Sequence, residues 1–265
     1  MKAPRLMKWL FYLNLTIVGF LIGYKLYLNL DRPEYNSLHT EQLRLLKDNL
    51  ESRDDYQFAV VGNINNSVGV FEKRITPTLN QSGVNFMVSA GNAVSGGGED
   101  KYRALHGTLS HLDIPYLLTF GEQEHEDFGS FRFYEHFGPY FYNFKLGNSQ
   151  FIFLDSTGKA PWRWQIEWLK GLLGDAQSGP VFLFLGHPLY PVEHELLFER
   201  GDQYLQDPTF KDALLGLIHQ HDVTAVFSAN LPLYSRQTHQ DTHFITTGGG
   251  GGLVLNDDVS FYHYV

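Results

Sequence analysis

Apolar and polar positions divide this chain into three stretches. Residues 9–30, "WLFYLNLTIVGFLIGYKLYLNL", are apolar almost throughout, and their only charge is Lys25 near the end. A bilayer core needs about 20 such residues to be crossed as a helix. The polar stretch "DRPEYNSLHTEQLRLLKDNLESRDD" (31–55) repeats Leu43, Leu46 and Leu50 at helical spacing, with Thr40 placed to cap. From Tyr56 onward, short apolar runs end in turn residues and alternate with amphipathic segments. "YQFAVVGN" (56–63), "VNFMVSAGN" (84–92) and "IPYLLTFG" (114–121) read as buried strands. Helices are expected over 71–83 and 99–113 between them. "FYNFKLGNSQFIFLDST" (141–157) reads as a hairpin turning at Gly147-Asn148. A helix over 163–176 follows, then strands over 179–188 and 223–230 with a helix near 209–220 between them. The strand at 242–252 runs into a glycine tract. Strand–helix alternation at this rhythm predicts parallel pairing and an α/β class.

The flanks of the first stretch give it a direction. Lys2, Arg5 and Lys8 precede it, so the positive-inside bias keeps the N-terminus (1–8) cytoplasmic. Residues 9–30 are then a single-pass signal anchor, 31–55 a juxtamembrane helical stalk or core-packing helix, and 56–265 an extracytoplasmic domain, periplasmic in a bacterium. Bulky, polar residues follow the span where a signal-peptidase site needs small ones. Gly19 and Gly23 form a Gly-x-x-x-Gly pair suited to close helix packing, and Asn14 and Thr16 add polar groups that favour a protein partner over lipid.

Composition narrows the chemistry. A net charge of −9 argues against a nucleic-acid partner. The chain has no cysteine, which removes thiolate metal sites, disulfides and thiol nucleophiles. No Gly-x-Ser-x-Gly elbow is present, and Gly248–Gly252 lacks the Lys-Ser/Thr of a phosphate loop.

The residues at the strand ends carry a resemblance. Gly62-Asn63-Ile64-Asn65, Gly91-Asn92, Gly121-Glu122-Gln123-Glu124, Gly186-His187-Pro188 and "SANLPLYSR" (228–236) follow one another in the order of the ligand blocks of the calcineurin-like metallophosphoesterase superfamily. "FYEHFGPYFYNFKLGNSQFIFLDS" (133–156) and "ITTGGGGG" (245–252) resemble that family's intervening segment and last core strand. The resemblance covers roughly 56–252. It implies a four-layer α/β sandwich of two mixed sheets flanked by helices.

It also implies a damaged site. In the family, two Asp, an Asn and several His hold two divalent metals, whose bound hydroxide attacks phosphorus. The matching positions here are Asn63, Asn65, Asn92, Glu122, His187, Asn230 and Pro232, and only His187 keeps its type. The family's leaving-group acid falls at Gln123, which has no proton to give. Two dications about 4 Å apart need anionic oxygens between and around them. Asn92 offers a neutral amide where a bridging carboxylate belongs, and Glu122 and Glu124 do not recreate a bridge. No catalytic residue, metal or other cofactor is therefore expected.

The expected function is that of a pseudoenzyme, a scaffold or accessory subunit in a membrane or envelope assembly. Its partners are a membrane protein and the bilayer. Two alternatives stand beside it. One is a phosphoester hydrolase with a single divalent metal at Glu122, His187 and Asn92. The other is a phosphate- or glycan-binding module using the Asn-rich rim. The run Glu122, Glu124, His125, Glu126, Asp127 reads as a solvated loop face able to hold one weak cation.

Overall fold

The structure, a computed structural model, describes residues 5–31, 35–50, 53, 55–174, 179–192, 204–255 and 258–265. Lys2 and the parts of the expected stalk at 32–34, 51, 52 and 54 lie outside the described residues. The chain forms two compact units, Met1–Tyr35 and Asn36–Val265.

The first unit is helix α1, Arg5–Leu30, whose side chains are exposed from Arg5 to Tyr27. By length and composition it is apolar enough to cross a membrane, and no other helix among the described residues is. Asn14 and Thr16 behave differently from the sequence expectation. Asn14 Nδ2 donates to the Leu10 carbonyl and Thr16 Oγ1 to that of Tyr12, each at 2.9 Å. These polar groups are satisfied inside their own helix.

The second unit holds two sheets. Strands β1 (Phe58–Val61), β2 (Phe86–Ser89) and β3 (Tyr116–Leu118) pair in parallel in that order. The mixed character lies in the other sheet, of six strands ordered β4-β5-β6-β7-β9-β8. Here β4 (Tyr142–Leu146) and β5 (Ser149–Phe153) form the expected hairpin, with Gly147 at φ +54°. Strands β6 (Val181–Phe184) and β7 (Ala225–Ser228) continue in parallel. The pair β8 (Tyr234–His239) and β9 (Thr242–Thr247) is antiparallel, with β9 beside β7.

Much of the chain's phenylalanine is spent between the sheets. Val60, Phe86, Val88 and Leu117 from the first sheet share one buried cluster with Phe144, Phe151, Phe153, Phe184 and Phe227 from the second. Their rings meet at 5.5 Å for Phe86–Phe151 and 5.2 Å for Phe184–Phe227. On the outer face of the second sheet, Ile152, Leu183, Val226 and Phe244 pack against α7 (Trp162–Gly174) and α8 (Pro208–Gln220). Asp207 caps α8 through the N–H groups of Thr209 and Phe210.

Helix α2 (Leu38–Leu50) belongs to this unit, and Leu46 and Leu50 lie in the inter-sheet core. It begins two residues before Thr40. It also covers the outer edge of β3. The Leu118 N–H donates to His39 Nε2 and the Tyr116 N–H to Gln42 Oε1, each at 3.1 Å. An edge strand that would offer unpaired N–H groups is thereby closed by side chains. On the far edge of this sheet, Val265 exchanges backbone hydrogen bonds with Val60. Helices α3 (Thr76–Gln81), α4 (Glu99–Leu109), the single turn α5 (Glu122–His125) and α6 (Gly129–His136) complete the described helices. A π-helical segment, Val68–Ile75, leads into α3.

Candidate functional site

The loops leaving the C-terminal ends of β1, β2, β3, β5, β6 and β7 converge, which is where α/β folds build sites. Asn63, Asn65, Asn66, Asn92 and Asn230 all sit at positive φ, between +49° and +62°. Asparagine tolerates this left-handed region better than most residues, because its short side chain bonds locally. The Gly-Asn words of the sequence are therefore sharp turns. Gly121 meets the β2 loop so closely that a Cβ would lie 2.8 Å from the nitrogen and Oδ1 of Asn92.

Three of these amides bond one another. Asn92 Nδ2 donates to Asn63 Oδ1 and to Asn230 Oδ1, each at 3.0 Å. Backbone donors fix which atom is oxygen. Asn92 Oδ1 accepts the Gln123 N–H at 3.1 Å, and Asn63 Oδ1 accepts the Asn230 N–H at 3.2 Å. Asn63 Nδ2 turns away to the Leu231 carbonyl. The centre of the cluster is thus an NH2 group whose hydrogens both point at neighbouring amide oxygens. Asn65 and Asn66 face outward from it. With its amide turned so that nitrogen donates, Asn65 bonds the carbonyls of Asn92 and Val94. Asn66 spans the Lys101 carbonyl and the Ser95 N–H.

Glu124 corrects the reading of a solvated acidic run. It is 1% exposed. Its Oε1 accepts the N–H groups of Ala93 (2.6 Å) and Val94 (3.3 Å), and its Oε2 those of Asn92 and Gly121 (3.0 Å each). One carboxylate ties the β2 loop to the β3 loop. Burial pushes its pKa up to about 7, while backbone donors, those of Ala93, Val94 and Asn92 among them, pull it down. The rest of the run disperses as well. Glu126 accepts from Gln123 Nε2, and His125 Nδ1 meets Ser130 Oγ at 2.8 Å.

The second sheet contributes His187, which is buried. Its Nδ1 lies 2.9 Å from Ser156 Oγ, and its own N–H donates to the same oxygen at 3.0 Å. The Ser156 hydroxyl can donate to Nδ1 while it accepts the backbone N–H, an arrangement that puts the ring proton on Nε2. That nitrogen faces Glu122 Oε2 at 3.7 Å. Asp155, in the same loop as Ser156, shapes that loop. It accepts from Thr157 N and Oγ1 (2.7 Å each) and from Ala160 N (2.5 Å). Burial raises its pKa against these donors. Pro232 supplies only its carbonyl, which accepts the Ser260 hydroxyl.

Of the nine positions read as a vestigial site, Asn63, Asn92 and Asn230 meet directly. Gln123 and Glu124 join them through backbone groups, and Glu122 and His187 form a separate pair. Asn65 meets the Asn92 carbonyl rather than its amide, and Pro232 offers only its own carbonyl, to Ser260. Ser156, Asn66 and Tyr102, whose hydroxyl lies 3.1 Å from the Glu124 carbonyl, are working parts that the sequence did not single out. Only the Leu-Asp-Ser word hinted at Ser156. Among the described residues, no three His, Cys, Asp or Glu side chains gather as a metal-binding group. Nor does the amide cluster suit a pair of dications. It carries no charge, and it directs an NH2 where the resemblance calls for a bridging carboxylate.

No protein-family model and no curated protein matches this chain. Solved structures do. A dimetal phosphatase from Danio rerio superposes with a TM-score of 0.59 at 13% identity, over 78% of this chain and 93% of that one. A purple acid phosphatase from yellow lupin gives 0.58 at 12% identity, over 78% of this chain and 47% of its own length. GAP50, described as the anchor in the inner membrane complex of Plasmodium, gives 0.55 at 14% identity, over 78% and 77%. The fold of this chain is that of the calcineurin-like metallophosphoesterases, with amides at most of the positions where the sequence resemblance places metal ligands.

Proposed function

We propose that this protein is a membrane-anchored pseudo-phosphoesterase, a catalytically inactive fold that serves as scaffold or accessory subunit of a membrane assembly. One observation carries the reading: the Asn63–Asn92–Asn230 cluster, whose central NH2 repels a cation and whose hydrogen-bonding groups serve one another. Without a metal-bound hydroxide there is no nucleophile for phosphorus. Gln123 cannot protonate a leaving group. Helix α1 anchors the chain with its N-terminus cytoplasmic, and the domain reaches its partner from the other side. GAP50 is an anchor in a membrane complex by its own description, so this fold is compatible with such a role.

A second reading rests on the His187–Glu122 pair. An imidazole nitrogen and a carboxylate 3.7 Å apart are two ligands of a single-metal site. Elemental analysis of the full chain purified in detergent, with and without added Mn and Zn, separates the two. The pseudoenzyme reading expects no stoichiometric metal and no phosphate release from a phosphoester panel. Near-stoichiometric metal with hydrolysis that disappears in His187→Ala would replace it with the enzyme.

A further inference from the structure

Three aromatic side chains stand out from the surface around α6. Phe128 is 86% exposed, Phe131 55% and Tyr134 56%. Phe131 and Tyr134 are three residues apart on α6 and share one side of it, and Phe128 stands in the entry turn just before the helix. Exposed phenylalanines gain nothing for the fold.

The turn that presents them is strained. Asp127 and Phe128 are consecutive non-glycine residues at positive φ, +49° and +59°. Such backbone persists only where its surroundings hold it. Here Arg132 Nη1 donates to the carbonyls of Gly97 (2.8 Å) and Asp127 (3.1 Å), and the Tyr102 hydroxyl lies near the carbonyls of Glu124 and Gly129. The Arg132 guanidinium also lies 4.6 Å from the Phe131 ring centre. The fold holds an unfavourable turn rigid, and the product is a projecting phenylalanine.

Chain length says what lies within reach. The Ser37 N–H donates to the Glu135 carbonyl and the His39 N–H to that of Phe137, so the chain enters the second unit beside the end of α6. Between Leu30, the last residue of the apolar helix, and Ser37 the chain spans no more than about 25 Å even fully extended. This bound is covalent and holds for every arrangement of the two units. Phe128 lies about 10 Å along α6 from Glu135.

We propose that Phe128, Phe131 and Tyr134 dock into the interface of the bilayer that holds α1, fixing the domain against the membrane. The inference rests on the anchor reading of α1. Aromatic rings favour the headgroup boundary, where an apolar body and a polar edge are both accommodated. The nearby Glu126, Asp127 and Glu135 are exposed and acidic. Ring burial rather than attraction to anionic lipid therefore drives the contact.

The chain's lack of cysteine makes the test clean. The full chain carrying Phe131→Cys, Tyr134→Cys or the control Lys145→Cys is labelled with a small fluorophore and reconstituted in phosphatidylcholine vesicles with nitroxide lipid. Alkaline extraction reports separately on α1. Residues 131 and 134 should be quenched several-fold more than 145, unchanged in high salt or with anionic lipid. Equal quenching at all three in a chain that resists extraction overturns the docking and leaves the anchor standing. Extraction of the chain overturns both. Shielding in native membranes but not in lipid vesicles would assign the patch to a protein partner and also overturn the proposal.

Discussion

The two sides of the site are built differently. Loops of the first sheet, joined by Asn230 from the end of β7, carry polar groups tied to one another: the Asn63–Asn92–Asn230 cluster and the Glu124 carboxylate inside four backbone N–H groups. The second sheet contributes a histidine held on one nitrogen by Ser156, with the other turned toward the half-exposed Glu122. The site thus has one side whose polar groups bond one another and one where an imidazole nitrogen faces a carboxylate. An amide at these positions does more than stay neutral. It lets the loops close on themselves, because an amide brings donors as well as acceptors.

The largest expected effect breaks the first side at its strongest point. In Glu124→Leu, four buried N–H groups lose their acceptor at once. A loss of about 3–5 kcal/mol is expected, read as the shift in chemical denaturation midpoint. A change under about 1 kcal/mol would mean that the two loops hold without the carboxylate.

Asn92→Asp sharpens the contrast directly. Aspartate tolerates the positive φ of Asn92, so the turn survives. It replaces a donor with an oxygen facing Asn63 Oδ1 and Asn230 Oδ1, and a cost of about 2 kcal/mol is expected in metal-free buffer. A divalent cation would offset that repulsion, so Mn should raise the Tm of Asn92→Asp and leave the unaltered chain unmoved. Equal shifts in both would show that the cluster already admits a cation.

What the sequence disclosed follows from range. The Gly-Asn words and the order of strand ends were legible, because turn chemistry is local. That Asn92 bonds Asn230 was not, since 138 residues separate them and only the folded sheet brings them together. Glu124 looked solvated because its neighbours are. Its burial depends on N–H groups from another loop. Strand β8 escaped notice because "YSRQTH" has no apolar alternation, as suits an edge strand outside the core. Helix α6 was hidden by Phe131 and Tyr134, outward aromatics that blur its period.

Two buried groups beside the first sheet carry opposing pH signatures. His39 is buried beside β3 and accepts the Leu118 N–H, and burial lowers its pKa to about 3. Between that value and the ordinary 6.5, the unfolded chain binds a proton that the folded one refuses. Stability therefore falls with acid across this window, by about 1.4 kcal/mol per pH unit. Glu124 acts with the opposite sign. Its raised pKa makes the folded state the proton binder between 4.5 and about 7, and stability falls as pH rises through that range. The two nearly cancel between 4.5 and 6.5, which a single denaturation series on the unaltered chain would miss. In His39→Gln an acceptor for Leu118 remains and the His39 titration is gone, so between pH 4.5 and 6.5 stability should fall with rising pH relative to the unaltered chain.

The smallest effect belongs to the second side. Ser156→Ala removes the hydroxyl that accepts the His187 N–H and faces Nδ1. The cost should be about 1–2 kcal/mol, the penalty for one buried donor left without its acceptor. The more telling readout is nitrogen NMR of the His187 ring. With Ser156 present, the proton should rest on Nε2, facing Glu122. In Ser156→Ala, Nδ1 loses its hydroxyl donor and the tautomers should mix. An unchanged ring spectrum would mean that Glu122 alone orders this histidine, making the pair a stronger ligand geometry than its 3.7 Å separation implies.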